Sequence, residues 1–180
     1  MRPTAEAGFG ALRVDADGAV TDFGVRARGL ADERHFLSVQ VVSAGLLDLL
    51  PRERRPCSTF GEWYPAARAA GHCFRVHATL AEWHSLDTPE RYRESTRRFL
   101  EARGGGPFVA AGARVAADAT IGRGCAIEAG CAVEASARVT DSVLLAGAVV
   151  EAAAVVERCI LGPSARVAAG RRVRDAVLVA

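Results

Sequence analysis

Beyond Pro107 the aliphatic residues fall into a six-residue period. Val109, Val115, Ile121, Ile127, Val133 and Val139 recur at that interval; after a four-residue step, Val143, Val149, Val155, Leu161, Val167, Val173 and Val179 resume it. A helix repeats about every 3.6 residues and a lone strand every 2, so neither produces this pattern. A small residue stands two places ahead of many of these aliphatics: Ala113, Ala119, Cys125, Cys131, Ala137, Gly147, Ala153, Cys159 and Ala165. One large and one small residue per hexad suits a prism of short parallel strands. The aliphatic fills the interior and the small residue lets the chain turn the corner. Hexapeptide repeats of this kind stack coil on coil. Residues 107–180 are therefore expected to form a left-handed parallel β-helix.

Residues 11–103 follow a different pattern, in which short apolar runs alternate with helical ones. Leu12 to Asp15 and Ala19 to Phe23 flank Ala16-Asp17-Gly18, and Asp-Gly between apolar runs signals a hairpin. Phe36 to Val42 reads as a strand, followed by a short helix, Ala44 to Leu50, capped by Ser43 and ended by Pro51. Thr59-Phe60-Gly61-Glu62 has the form of a capping box and opens a helix that stops at Gly71. Cys73 to Leu80 reads as a returning strand. Thr88 caps a last helix with Pro89 at its first position, and Tyr92, Phe99 and Leu100 share one face. Gly104-Gly105-Gly106-Pro107 closes this region, so the expected domains are 1–103 and 107–180.

Composition narrows the chemistry. All 23 basic residues are arginine; lysine and asparagine are absent. Schiff-base chemistry and a phosphate-gripping Walker lysine are thereby excluded. A net charge of +2 is too small for a nucleic-acid surface. No apolar run approaches a membrane span. Met1 to Glu6 lacks the basic end and apolar stretch of a signal peptide. A cytoplasmic location without nucleic-acid or membrane partners is the expectation. The five cysteines form no Cys-x-x-Cys pair and no zinc-spaced cluster. Reduced thiols are expected, those on the small-residue stripe serving as compact packing residues.

Three segments of residues 1–103 carry a resemblance. Gly10 to Phe23 is similar to the hairpin in the second half of sugar-1-phosphate nucleotidyltransferases. Phe36 to Pro51 looks like the strand and short helix that follow there. Trp83-His84-Ser85-Leu86-Asp87-Thr88-Pro89-Glu90-Arg91-Tyr92 resembles that family's Trp-x-Asp-hydrophobic-Gly-Thr-Pro-Glu-x-Tyr segment. A hexapeptide β-helix directly afterwards is the arrangement of its mannose-1-phosphate guanylyltransferase-like and glucose-1-phosphate nucleotidyltransferase branches. The resemblance implies that residues 1–103 are the sugar-phosphate side of an α/β, Rossmann-like nucleotidyltransferase domain.

The family joins an NTP to a sugar 1-phosphate, giving an NDP-sugar and pyrophosphate, with Mg²⁺ and cationic side chains offsetting developing charge. Arg26 falls near the lysine of the family's Glu-Lys-Pro segment, and a guanidinium can fork a phosphate. Trp83 is placed at the sugar pocket. Ser85 stands where the family has its Mg²⁺-binding aspartate, and Asp87, two residues on, is a substitute ligand or part of the turn into Thr88. The family's glycine-rich nucleotide loop has no counterpart near Met1, so the chain is expected to be inactive alone. It reads as a fragment, half of a split enzyme or a degenerate relative. The alternative is a non-catalytic assembly or regulatory subunit that forms homo-oligomers or docks on a catalytic partner, because unpaired strand edges attract partners. A hexapeptide acyltransferase would place a histidine on or near a coil. Here His35, His72, His77 and His84 all precede the repeat.

Overall fold

The computed structural model describes residues 10–180 apart from 27, 29, 54 and 82, and the side chains of residues 25 and 26 also stand outside that description. The segment Met1 to Glu6, read above for a signal peptide, lies outside the described residues. Two compact units make up the chain, Met1–Trp83 and His84–Ala180. The division expected at residue 103 thus falls earlier, and the last helix belongs with the β-helix.

In the first unit the Asp-Gly hairpin forms. Strands β1 (Gly10–Val14) and β2 (Val20–Arg26) pair antiparallel, with Val14 opposite Val20. The Asp15 carboxylate accepts from the amides of Asp17 and Ala19 at 3.0 and 2.9 Å, while Gly18 takes φ +77°. Glycine adopts that conformation without a steric penalty. Strand β3 (Glu33–His35) pairs antiparallel with the other edge of β1, giving the order β2-β1-β3. Leu12, Val14 and Val20 point to one side and are covered by Phe23, Phe36, Phe60 and Phe74. Helix α1 (Ala44–Leu47), a π-helical turn (Thr59–Trp63) and helix α2 (Tyr64–Ala69) enclose a second cluster of Leu46, Trp63, Tyr64 and Ala67. Phe23 joins the two clusters, its ring 5.5 Å from Tyr64 and 5.0 Å from Phe74.

Several expectations change here. The Rossmann-like parallel sheet does not appear among the described residues; the three strands found are antiparallel. Residues 36–42 form no strand, and Ser38, at φ +60°, interrupts their extended run. The strand expected over Cys73 to Leu80 shrinks to a bridge between Arg75 and Ala19. Strand preference is realised only where a neighbour supplies partners, and these segments have almost none. The cap of the π-helical turn is Ser58, whose Oγ accepts from the Gly61 amide at 2.9 Å, rather than Thr59. Ser43 has extended backbone but its side chain makes no cap bond, and α1 ends at Leu47.

The second unit opens with α3 (Pro89–Glu101), where Thr88 Oγ1 accepts from the Arg91 amide at 3.2 Å. Leu100 is buried, whereas Phe99, expected beside it, is half-exposed beneath the Arg103 guanidinium. Arg93 ties the helix to the β-helix through Asp141 at 3.0 Å. From Phe108 the chain winds through three parallel sheets. The first contains Phe108–Val109, Ala126–Ile127, Val143–Leu144, Ile160–Leu161 and Val177–Leu178. The second holds Arg114–Val115, Ala132–Val133, Val149–Val150 and Arg166–Val167. The third holds Thr120–Ile121, Arg138–Thr140, Val155–Glu157 and Arg172–Arg174.

This parallel β-helix of about four turns confirms the architecture but corrects its register. Val109 stacks on Ile127, then on Leu144, Leu161 and Leu178, so the coil shortens from 18 residues to 17 after the first. The interior residues of the second run are Leu144, Val150 and Val156, not Val143, Val149 and Val155. Val143 is buried on the opposite side of its strand, and Val179 is 80% exposed. The small buried positions move likewise to Ala148 and Ala154, while Gly147 and Ala153 take left-handed φ of +76° and +56°. The cause is a five-residue step at one corner, from Val139 to Leu144, which returns from Val156 to Leu161 and from Val173 to Leu178. There the chain turns through Asp141, Arg158 and Asp175 at φ +43°, +52° and +51°.

The corrected register separates neighbouring valines. Val150 is fully buried and Val149 only half-buried. Val150→Ala is expected to cost about 2 kcal/mol through lost burial and a cavity, and Val149→Ala less than about 1 kcal/mol. Thermal melts of the two variants check this, and equal losses would refute the register.

Candidate functional site

The residues singled out by sequence fall in separate settings. Arg26 ends β2 with its backbone opposite Gly10; its side chain lies outside the described residues. Trp83 is half-buried, with its ring edge-on to His35 at 4.6 Å between centroids. The structure thus gives Trp83 a packing partner within the first unit.

Ser85 and Asp87 do come together, just ahead of α3. Ser85 Oγ donates to Asp87 Oδ1 at 2.5 Å, and Arg91 donates to both carboxylate oxygens at 3.1 and 2.9 Å. The Ser85 carbonyl accepts from Ser95 Oγ at 3.0 Å, which ties the segment to the helix it precedes. The Ser85 hydrogen bond first, and then Arg91, hold the Asp87 carboxyl below the usual carboxylate range.

A divalent cation at this cluster would have to compete with a guanidinium already on the carboxylate. Serine adds only a neutral oxygen, while hard cations prefer several charged ones. No group of three or more His, Cys, Asp or Glu side chains suited to a metal occurs among the described residues. Ser85 and Asp87 do not fit Mg²⁺, and their geometry is that of a turn feeding the Thr88 cap.

The β-helix places its polar groups at its corners. Glu128, Glu134 and Glu151 each accept from a main-chain amide one coil on, at Ala146, Ala152 and Ala169, over 2.9, 3.1 and 3.0 Å. The sequence reading missed this ladder, although its signal is present: each glutamate directly follows an interior aliphatic, Ile127, Val133 or Val150. Ser142, fully buried, donates to the Thr140 carbonyl at 2.7 Å and accepts from the Cys159 amide at 2.9 Å. Cys125, Cys131 and Cys159 are buried in the interior cluster, and burial pushes the thiols of Cys125 and Cys131 up, away from the reactive thiolate. A shallow depression of about 650 Å³ overlies Arg114, Val115, Ala132, Val133 and Glu134. Its carboxylate, on Glu134, is already bound to the Ala152 amide.

In the first unit, sequence reading also missed Glu33. It is buried, and its Oε2 accepts from the amides of Arg28 and Leu30 at 2.7 and 3.1 Å. A lone glutamate in a charged run gives no sequence signal for such a role.

The depressed carboxyl of Asp87 makes a pH-dependent prediction. Its stabilisation is complete above the ordinary carboxylate range, near about pH 4, and is lost as pH falls through its lower folded value. Asp87→Asn should therefore melt below wild type at neutral pH, with the gap closing as pH falls below that range. A constant gap across that range would contradict the role given to Asp87.

Known proteins can now be set beside this geometry. Two solved structures from Caulobacter crescentus share similarity with the chain. One is a histidine-to-asparagine mutant of perosamine N-acetyltransferase in complex with CoA and GDP-perosamine. It is 26% identical, with 47% of this chain and 42% of that one covered and a TM-score of 0.40. The other is a histidine-to-alanine mutant of GDP-perosamine N-acetyl transferase with the same two molecules. It is 23% identical, covers 49% of this chain and 53% of its own, and has a TM-score of 0.35. The chain spans about half or less of the length of these two. No curated protein matches it. Residues 105–180, the β-helical part of the chain, match the family model of the GMPPB C-terminal domain.

Proposed function

We propose that this chain serves sugar-nucleotide synthesis as a β-helical assembly or regulatory part of a sugar-1-phosphate nucleotidyltransferase, not as a self-sufficient catalyst. The match of residues 105–180 to the GMPPB C-terminal domain carries this reading. The order of hairpin, short helix and capped Thr88-Pro89 helix ahead of the β-helix supports it.

In the reaction concerned, a sugar 1-phosphate oxygen attacks the α-phosphorus of an NTP, and pyrophosphate leaves with its bonding electrons. Charge builds on the phosphoryl oxygens and must be met by cations. Arg26 is the residue proposed to meet the sugar phosphate from the end of β2. Asp87 is committed to Ser85 and Arg91, so no step is assigned to a metal there. The regular β-helix offers the rigid, repetitive surface on which subunits assemble.

Two measurements test the proposal. The purified chain with Mg²⁺, GTP and mannose 1-phosphate should release no pyrophosphate above a protein-free blank; steady turnover would refute the non-catalytic assignment. Added to an intact mannose-1-phosphate guanylyltransferase, the chain should co-sediment with it and change its rate. Independent sedimentation with an unchanged rate would end the assembly reading.

A further inference from the structure

The outer surface of the third sheet carries positive charge that no carboxylate of the β-helix offsets. The backbone register stacks Thr120, Arg138, Val155 and Arg172 in one column, one residue per coil. Their sequence neighbours Ile121, Val139, Val156 and Val173 pack in the interior, so the column faces outward, because successive strand residues alternate sides. Arg138 and Arg172 are exposed and flank Val155, which is half-buried. They stand two coils apart, roughly 10 Å at the usual strand spacing, close enough for both guanidinium groups to reach over the valine. Arg171 adds a third exposed guanidinium at the corner before Arg172. Among the described residues, none of these three arginines has a carboxylate partner. The carboxylates of residues 107–180 are held instead by Ser136, by main-chain amides, or by Arg93, Arg158, Arg166 and Arg174.

We propose that this column is a binding site for a compact phosphoryl anion, a diphosphate, held between Arg138 and Arg172 above Val155. A planar guanidinium offers a fork of N–H donors that matches two oxygens of one phosphoryl group. Two such forks on either side of a small apolar floor match an anion with charge on two linked phosphorus centres. An extended acidic polypeptide suits this face less well. It would cross the adjoining outward column, where the Glu157 carboxylate, bound by Arg158 and Arg174, stands beside Thr140. The corner on the other side passes through Ala152, Ala153 and Gly170, which leave Arg171 and Arg172 open to a small ligand. Free pyrophosphate and a nucleoside diphosphate ester both present the required oxygens. The inference is independent of the proposed function, whose phosphate contact is Arg26 in the first unit.

Calorimetric titration of the full chain with pyrophosphate, at low salt and without divalent cations, tests it, with circular dichroism as the check on folding. Wild type should bind saturably. Arg138→Gln and Arg172→Gln, at exposed positions, should each weaken binding about tenfold or more, because each removes charge-assisted hydrogen bonds. Arg114→Gln, at an exposed arginine of the second sheet, should leave the affinity unchanged. Competition by GDP-mannose would assign the diphosphate to a sugar nucleotide, and failure to compete would assign it to the free anion. No saturable binding by wild type, full affinity in both variants, an equal loss in Arg114→Gln, or tighter binding of a glutamate decapeptide than of pyrophosphate would each overturn the inference.

Discussion

A β-helix closes only if each coil turns three corners and still sets its aliphatics on those of the coil before. The rest of the second unit depends on that constraint. Its corners require left-handed backbone, supplied in one column by Gly112, Gly130 and Gly147 and then Ser164, and in the others by Gly124 with Asp141, Arg158 and Asp175, and by Ser136 and Ala153 with Gly170. A side-chain-bearing residue held in that conformation costs roughly 1–2 kcal/mol. Burying one aliphatic fully contributes about 1.5–3 kcal/mol. The interior stack of Ile127, Leu144 and Leu161, all fully buried, can therefore sustain non-glycine corners. The residues before and after each corner need only be small enough to pass.

Charge at the corners has a different role from the stack. Arg158 reaches Asp175 at 2.6 Å and Glu157 at 2.5 Å, and Arg174 reaches Glu157 at 2.6 Å. All of these groups are partly or largely exposed, and exposed pairs contribute little, about 0–1 kcal/mol each. They favour one coil register over its neighbours more than they hold the coils together. Ser142 is the opposite case. Its hydroxyl is buried beside the aliphatic stack, where an unpaired polar group would be costly, and both of its bonds go to main chain.

The corner chemistry also explains how much could be read beforehand. The hexad period and the β-helix were legible because interior burial selects one aliphatic per strand. The register of the second run was not, because Val143-Leu144, Val149-Val150 and Val155-Val156 each offer two adjacent aliphatics, and a period count cannot choose between them. The deciding residues, Asp141, Arg158 and Asp175, resemble any solvated charge. Thr88 with Pro89 and the Asp15 to Ala19 hairpin were legible because their signals are local. The strands expected over 36–42 and 73–80 depended on neighbours that the described residues do not provide. Of the candidate site, Ser85 and Asp87 lie within hydrogen-bond reach of each other, but Arg91 takes the carboxylate, and a guanidinium one helical turn on carries no mark of that task.

The same distribution of partners bears on function. Residues 107–180 hold seven carboxylates, and each is engaged. Asp118 accepts from Ser136; Glu128, Glu134 and Glu151 accept from main-chain amides; Asp141, Glu157 and Asp175 accept from arginines. The segment has no histidine or lysine, and the three cysteines are buried among aliphatics. A general base needs a group free to take a proton, and a nucleophile needs access to solvent and substrate. The carboxylates of the β-helix are thus committed to hydrogen bonds and ion pairs that hold its corners and its capping helix in place.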